Sequence, residues 1–165
     1  MPKTTALVQL GTDLDRDAST ARGEDVTRSV VPLHSDRGSF ENHKDFFVER
    51  NGVRFAGTHL IIDLWGCAHL DDIDHIDAAM RESVEAAGAT LLHIHLHHFT
   101  PNDGVSGVAV LAESHISVHT WPECGYAAFD VFMCGDARPG EAVEVLKRFF
   151  RPSRVEVTEH LRGRD

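Results

Sequence analysis

Residues 113–135 read ESHISVHTWPECGYAAFDVFMCG, and this stretch decides the fold. HISVHTW, from His115, and GYAAFDVFMCG, Gly125 to Gly135, are rich in β-branched and aromatic residues and are bounded by turn formers, as strands are. The link between them is too short for a crossover, so the two pair antiparallel. The same stretch is dense in reactive groups: Glu113, Ser114, His115, His119, Trp121 and Glu123 fall within eleven positions. A strand made only for packing has little use for them.

Working outward, two more strand signals precede this pair, ATLLHIHLHHF from Ala89 and GVSGVAVLA from Gly104, and THLIIDLW (Thr58 to Trp65) comes earlier still. Between Trp65 and Ala89, Asp71 and Asp72 can cap a helix whose apolar residues Ile73, Ile76, Met80, Val84 and Ala87 step by three or four, with Gly88 as its stop. After Gly135, Pro139 suits a first helical position, and Ala142, Val145, Leu146 and Phe149 repeat at helical spacing. Pro152 ends that helix, and RVEVTEH closes as an alternating strand. The order β-α-β-β-β-β-α-β predicts an α+β protein: a two-layer sandwich with a largely antiparallel sheet and helices on one face.

Composition bounds the rest. The chain has 165 residues, 42% of them hydrophobic, enough for one domain with a proper core. Residues 1–52 lack a sustained apolar period and are expected to form a loosely ordered N-terminal extension, with the domain proper over 53–165. A formal charge of −10 argues against nucleic acid as a partner, since there is no basic excess to release counterions. Neither a secretion signal nor a membrane-length apolar run is present, which predicts a soluble, cytoplasmic protein without membrane contact. Cys67, Cys124 and Cys134 are an odd number without C-x-x-C spacing, so free thiols are expected rather than disulfides or a zinc knuckle.

Three chemistries fit the reactive groups of these strands. In HIHLHH, the residues His93, His95 and His97 share one strand face and could bind a borderline metal, but no nearby group completes a ligand set, and a histidine-bearing sheet face is the plainer reading. A hydrolase triad could use Ser114 and His119, yet the G-x-S-x-G elbow is absent there, and GVSGV around Ser106 lacks its first glycine in the required place. The third chemistry is autocatalytic. Ser114, beside a turn, can attack the carbonyl of Glu113 and turn the amide into an ester. Loss of the serine α-hydrogen then cuts the ester by β-elimination, and the dehydroalanine left behind hydrolyses to a pyruvoyl group. Such a carbonyl condenses with a substrate amine and draws electrons from the adjacent carboxylate, as pyridoxal phosphate does. Ser106 and His119 suit the processing step, and Cys134 could reprotonate the substrate carbon.

ESHISVHTWPE followed by GYAAFDVFMCGD resembles the short, pyruvoyl-dependent bacterial S-adenosylmethionine decarboxylases. GTHLIIDLWGC, AAGAT, HHFTPNDGVSGV and EHLRGRD are similar to further segments of that family, so the resemblance spans about Gly57 to Asp165. It implies a proenzyme cleaved between Glu113 and Ser114, with a pyruvoyl cofactor made from Ser114. It also implies that His119 and Ser106 assist processing and that Cys134 is the catalytic proton donor. Phe99 and Trp121 would sandwich the adenine of S-adenosylmethionine, and Glu123 would hold the ribose hydroxyls. Asp63 is a further candidate, for the substrate amine or for capping the sheet. No metal site is expected. The family's fold is an α/β sandwich that dimerises with each site near the partner subunit, so a homodimer of cleaved two-chain protomers is expected. The chain departs from the family pattern in its N-terminal extension, in Cys124 where tyrosine is common, in His98 where arginine is usual, and in a longer TPNDGVSG loop. Ornithine or arginine decarboxylation by the same chemistry, and a non-catalytic paralogue, are the alternatives.

Overall fold

The computed structural model describes residues 47–164. Most of the expected N-terminal extension therefore lies outside the described residues. Its last residues begin a hairpin, β1 (Val48–Arg50) paired with β2 (Val53–Phe55), which straddles the expected boundary between 52 and 53. Its turn is Asn51-Gly52, with φ of 54° and 75°. Positive φ at both central residues is what a type I′ hairpin turn needs, and Asn-Gly supplies it at least cost.

From there the elements follow the predicted order: β3 (Gly57–Trp65), α1 (Ile73–Ala86), β4 (Leu91–His98), β5 (Val105–Leu111), β6 (Ser114–Trp121), β7 (Tyr126–Cys134), α2 (Pro139–Phe150) and β8 (Arg154–Arg162). A 3₁₀ turn, Pro122–Cys124, joins β6 to β7. β3 to β8 form one six-stranded sheet in the order β4-β5-β6-β7-β3-β8, every neighbouring pair antiparallel. β4 to β7 are a meander, as their short connections dictate. β3 sits between β7 and β8, so both helices must cross the sheet.

The helix ends match their capping chemistry. Asp72 is the N-cap of α1 and accepts from the His75 amide at 3.0 Å, while Gly88 leaves the helix at φ 73°. Pro139 opens α2, and Arg151, at φ 46°, ends it just before Pro152.

Alternation sorts the sheet into two faces. On the helix side, Leu60, Ile62 and Leu64 of β3 join Ile116 and Val118 of β6, and Phe129 and Val131 of β7. They form one core with Ile76 and Met80 of α1 and Leu146 and Phe150 of α2. The Phe129 and Phe150 rings meet at 5.5 Å. The other face carries His59, Ile61, Asp63 and Trp65 on β3, His115, Ser117, His119 and Trp121 on β6, and His93, His95 and His97 on edge strand β4. Among the described residues no helix covers it, and Ile61 and Val110 remain 40% and 41% exposed there. No helix of the described residues is long and apolar enough to cross a membrane.

Candidate active site

The candidate residues gather at two ends of strand β6. At its start, β5 and β6 are joined by the two-residue turn Ala112-Glu113, flanked by the paired Leu111 and Ser114. Glu113 takes φ 61°, a left-handed conformation that costs an L-residue with a Cβ about 1–2 kcal/mol. The Ala112 amide holds the turn down by donating to the Thr90 carbonyl at 2.9 Å. Ser114 Oγ accepts from the backbone N–H of Cys134, the last residue of β7, at 3.2 Å. Burial pushes the Cys134 thiol above its ordinary pKa, and the Glu113 carboxylate adds to the shift. At neutral pH this thiol keeps its proton. The sequence-predicted Glu113, Ser114 and Cys134 are thus brought together.

At the other end of β6, His119 stands opposite Ser106 of β5, with Ser106 Oγ 2.9 Å from His119 Nδ1 in a hydrogen bond. Beside this pair opens a cleft of about 340 Å³ lined by Phe99, Gly104, Ser106, His119, Trp121 and Glu123. Phe99 is 48% and Trp121 40% exposed, so each offers ring surface to a ligand. Phe99 is fixed by its amide, which donates to the Gly104 carbonyl at 2.8 Å, and by His97, whose ring meets it edge-on at 4.6 Å. A Cβ at Gly104 would lie 2.8 Å from the Thr120 carbonyl oxygen, so this wall of the cleft requires glycine. A larger cavity, about 860 Å³, opens between the β1-β2 hairpin and the start of α2 and contains none of the candidate residues.

Two residues that the sequence reading missed hold this end in place. Thr120, 6% exposed, donates its hydroxyl to the Leu70 carbonyl at 2.7 Å and accepts from the Val105 amide at 2.8 Å. It thereby ties the loop before α1 to the start of β5. Tyr126, first residue of β7, packs on Trp121 with ring centroids 5.1 Å apart and donates its hydroxyl to Asp63 at 2.5 Å. That bond pushes the Tyr126 phenol up to about 12, with burial adding to it. Asp63, a candidate for the substrate amine, lies outside the cleft lining, its carboxylate engaged by Tyr126. His93 and His95 share the open face with His97 as the alternation predicts, and among the described residues no three or more His, Cys, Asp or Glu group to hold a metal ion. Cys67, Cys124 and Cys134 are free thiols.

A family model described as S-adenosylmethionine decarboxylase matches residues 58–163. An S-adenosylmethionine decarboxylase proenzyme of Thermomicrobium roseum is 48% identical over 112 residues, covering 67% of this chain and 97% of the relative. Another, from Methanococcus maripaludis strain C7, is 47% identical over 114 residues, covering 67% and 93%. Among solved structures, the adenosylmethionine decarboxylase of Aquifex aeolicus VF5 superposes with a TM-score of 0.59 at 33% identity, covering 66% of this chain and 92% of that one.

Proposed function

The chain belongs to the S-adenosylmethionine decarboxylase family, and from that premise we propose that it cuts itself between Glu113 and Ser114 and works as a pyruvoyl-dependent carboxy-lyase. Its substrate is S-adenosylmethionine, and the decarboxylated product is the aminopropyl donor for spermidine synthesis. The observation that carries the proposal is the turn in which Ser114 follows a left-handed Glu113 with Cys134 alongside.

In processing, Ser114 Oγ attacks the Glu113 carbonyl carbon and the peptide C–N bond gives way to an ester. Loss of the Ser114 α-hydrogen breaks the Cβ–Oγ bond, leaving a carboxylate on Glu113 and a dehydroalanine. That residue takes up water, releases ammonia and becomes the pyruvoyl group. The left-handed conformation at Glu113 favours cleavage, because its backbone is free to relax once the chain is cut after it. With Nδ1–H donated to Ser106 Oγ, a His119 imidazole presents a basic Nε2 for the α-hydrogen.

The turn places the hydroxyl from which a pyruvoyl group would be made, and the Cys134 N–H holds that oxygen until it leaves with the Glu113 carboxylate. Once formed, the group supplies an electron sink for loss of carbon dioxide from a bound amino acid. Cys134 Sγ holds the proton that the substrate α-carbon needs afterwards, and its raised pKa keeps that proton in place at neutral pH. Phe99 and Trp121 bind the adenine and the positive sulfonium by their ring faces, and Glu123 accepts from the ribose hydroxyls.

Ser114 and His119 are five residues apart on one strand, about 17 Å at the rise of a β-strand. Within one protomer the two cannot touch. A homodimer resolves this if the Ser114 end of each copy meets the cleft end of the other, and the open, partly apolar sheet face offers surface for such pairing. The proposal is tested by release of labelled carbon dioxide from S-adenosylmethionine, ornithine and arginine in parallel. Release from S-adenosylmethionine that vanishes in Ser114→Ala is expected. Preference for ornithine or arginine, or undiminished release by Ser114→Ala, contradicts it.

A further inference from the structure

Four side chains form one row across the open sheet face: Arg154 of β8, Trp65 of β3, Tyr126 of β7 and Trp121 of β6, each the register partner of the next. The Arg154 guanidinium lies 3.6 Å from the Trp65 ring centroid. Trp65 and Tyr126 are 5.6 Å apart at 34°, and Tyr126 and Trp121 are 5.1 Å apart at 31°. These distances fall within the range in which aromatic rings attract one another beyond mere burial. Only Trp121, the last in the row, lines the cleft.

Isolated tryptophans on a half-exposed sheet face have rotamer freedom that a ligand must freeze on binding. Here the row removes it in advance. Tyr126 is held by its hydroxyl bond to Asp63, two register pairs further along the sheet, and Tyr126 in turn backs Trp121. His119, two residues earlier on β6, flanks Trp121 at 6.2 Å.

We infer that Asp63 and Tyr126 are positioning residues that fix the plane of Trp121 for a flat heteroaromatic ligand. The inference rests on the reading of the cleft as an adenine site. It assigns Asp63 to the platform beneath the ligand rather than to the ligand's amine. The tether holds throughout the physiological range, because Tyr126 keeps its proton until far above neutral pH.

The test uses the purified full chain and an adenine nucleoside probe, 5′-deoxy-5′-methylthioadenosine, with affinity measured by calorimetry and turnover of S-adenosylmethionine alongside. Tyr126→Phe keeps the ring and loses the tether, Asp63→Asn weakens the tether from its other end, and Trp121→Ala removes the platform. Each tether variant should weaken the probe by about two- to tenfold, the cost of freezing one side chain on binding. KM should rise in step while kcat and cleavage before residue 114 stay near wild type. Because both act through one bond, the double variant should bind no worse than the weaker single one. A purely structural role would lower the melting temperature and leave KM alone. Unchanged affinity in both tether variants overturns the inference and leaves the cleft reading standing. Failure of the wild type to bind, or full binding by Trp121→Ala, overturns the cleft reading and the inference with it.

Discussion

Ser106 and His119 face each other across β5 and β6, oxygen to Nδ1 at 2.9 Å, at the far end of the strand that begins with Ser114. If this pair takes the α-hydrogen during processing, His119→Asn and Ser106→Ala should both still fold. The first should slow cleavage by about 10²- to 10⁴-fold, the usual worth of a positioned general base. Time courses on denaturing gels read this directly, and cleavage at the wild-type rate in His119→Asn contradicts the assignment.

The distance between that pair and Ser114 gives a sharper experiment. Alone, Ser114→Ala should not cleave, and His119→Ala should cleave only at the slowed rate of a chain without its base. Co-expressed, they should form mixed dimers in which the Ser114 of one copy meets the His119 of the other, so that one of two sites is whole. Cleavage at a near wild-type rate only in the mixture is expected. If the mixture cleaves no faster, each site is built within a single protomer.

Cys134 sets an alkaline limit. Burial and the Glu113 carboxylate both disfavour its thiolate, so its pKa lies above the ordinary thiol value. The donor is therefore protonated at neutral pH and is lost as pH rises through that raised value. The kcat profile should stay level through neutrality and fall on the alkaline side, and Cys134→Ser, whose hydroxyl is a poorer acid, should depress kcat far more than KM. In the uncleaved Ser114→Ala chain, adding Glu113→Gln removes the nearby negative charge. The pH at which Cys134 is alkylated should then move down, as residue-resolved mass spectrometry can follow.

Thr120 carries the structural load of the cleft. Replacing it with Val keeps the volume but leaves the Val105 amide and Leu70 carbonyl without their hydroxyl partner in a buried setting. A loss of about 1–3 kcal/mol is expected in denaturant melts. An unchanged midpoint would show that those groups find other partners.

Much of this architecture is legible in the chain itself, and the exceptions have physical causes. Asp72, Gly88 and Pro139 announce the helix ends because caps are local chemistry, and β4 to β7 are readable as a meander because short links leave no other pairing. The position of β3 between β7 and β8 is not readable, since a helical crossover can return a strand to more than one place in the sheet. Strands β1 and β2 are three residues each, too short to show alternation, although Asn51-Gly52 carries the hairpin signal. The Ser106–His119 contact depends on register: thirteen residues separate the two, and pairing of β5 with β6 closes the gap. Asp63 illustrates the limit most plainly. Its strand face follows from alternation, but its engagement by Tyr126 depends on a partner across the sheet.

Activity depends on a single covalent event, and the mass of the purified protein reports it. Two fragments, residues 1–113 and 114–165, are predicted, the second beginning with a pyruvoyl group in place of serine and resistant to Edman degradation. A uniformly intact chain that retains an ordinary serine at position 114 and still decarboxylates S-adenosylmethionine would contradict it.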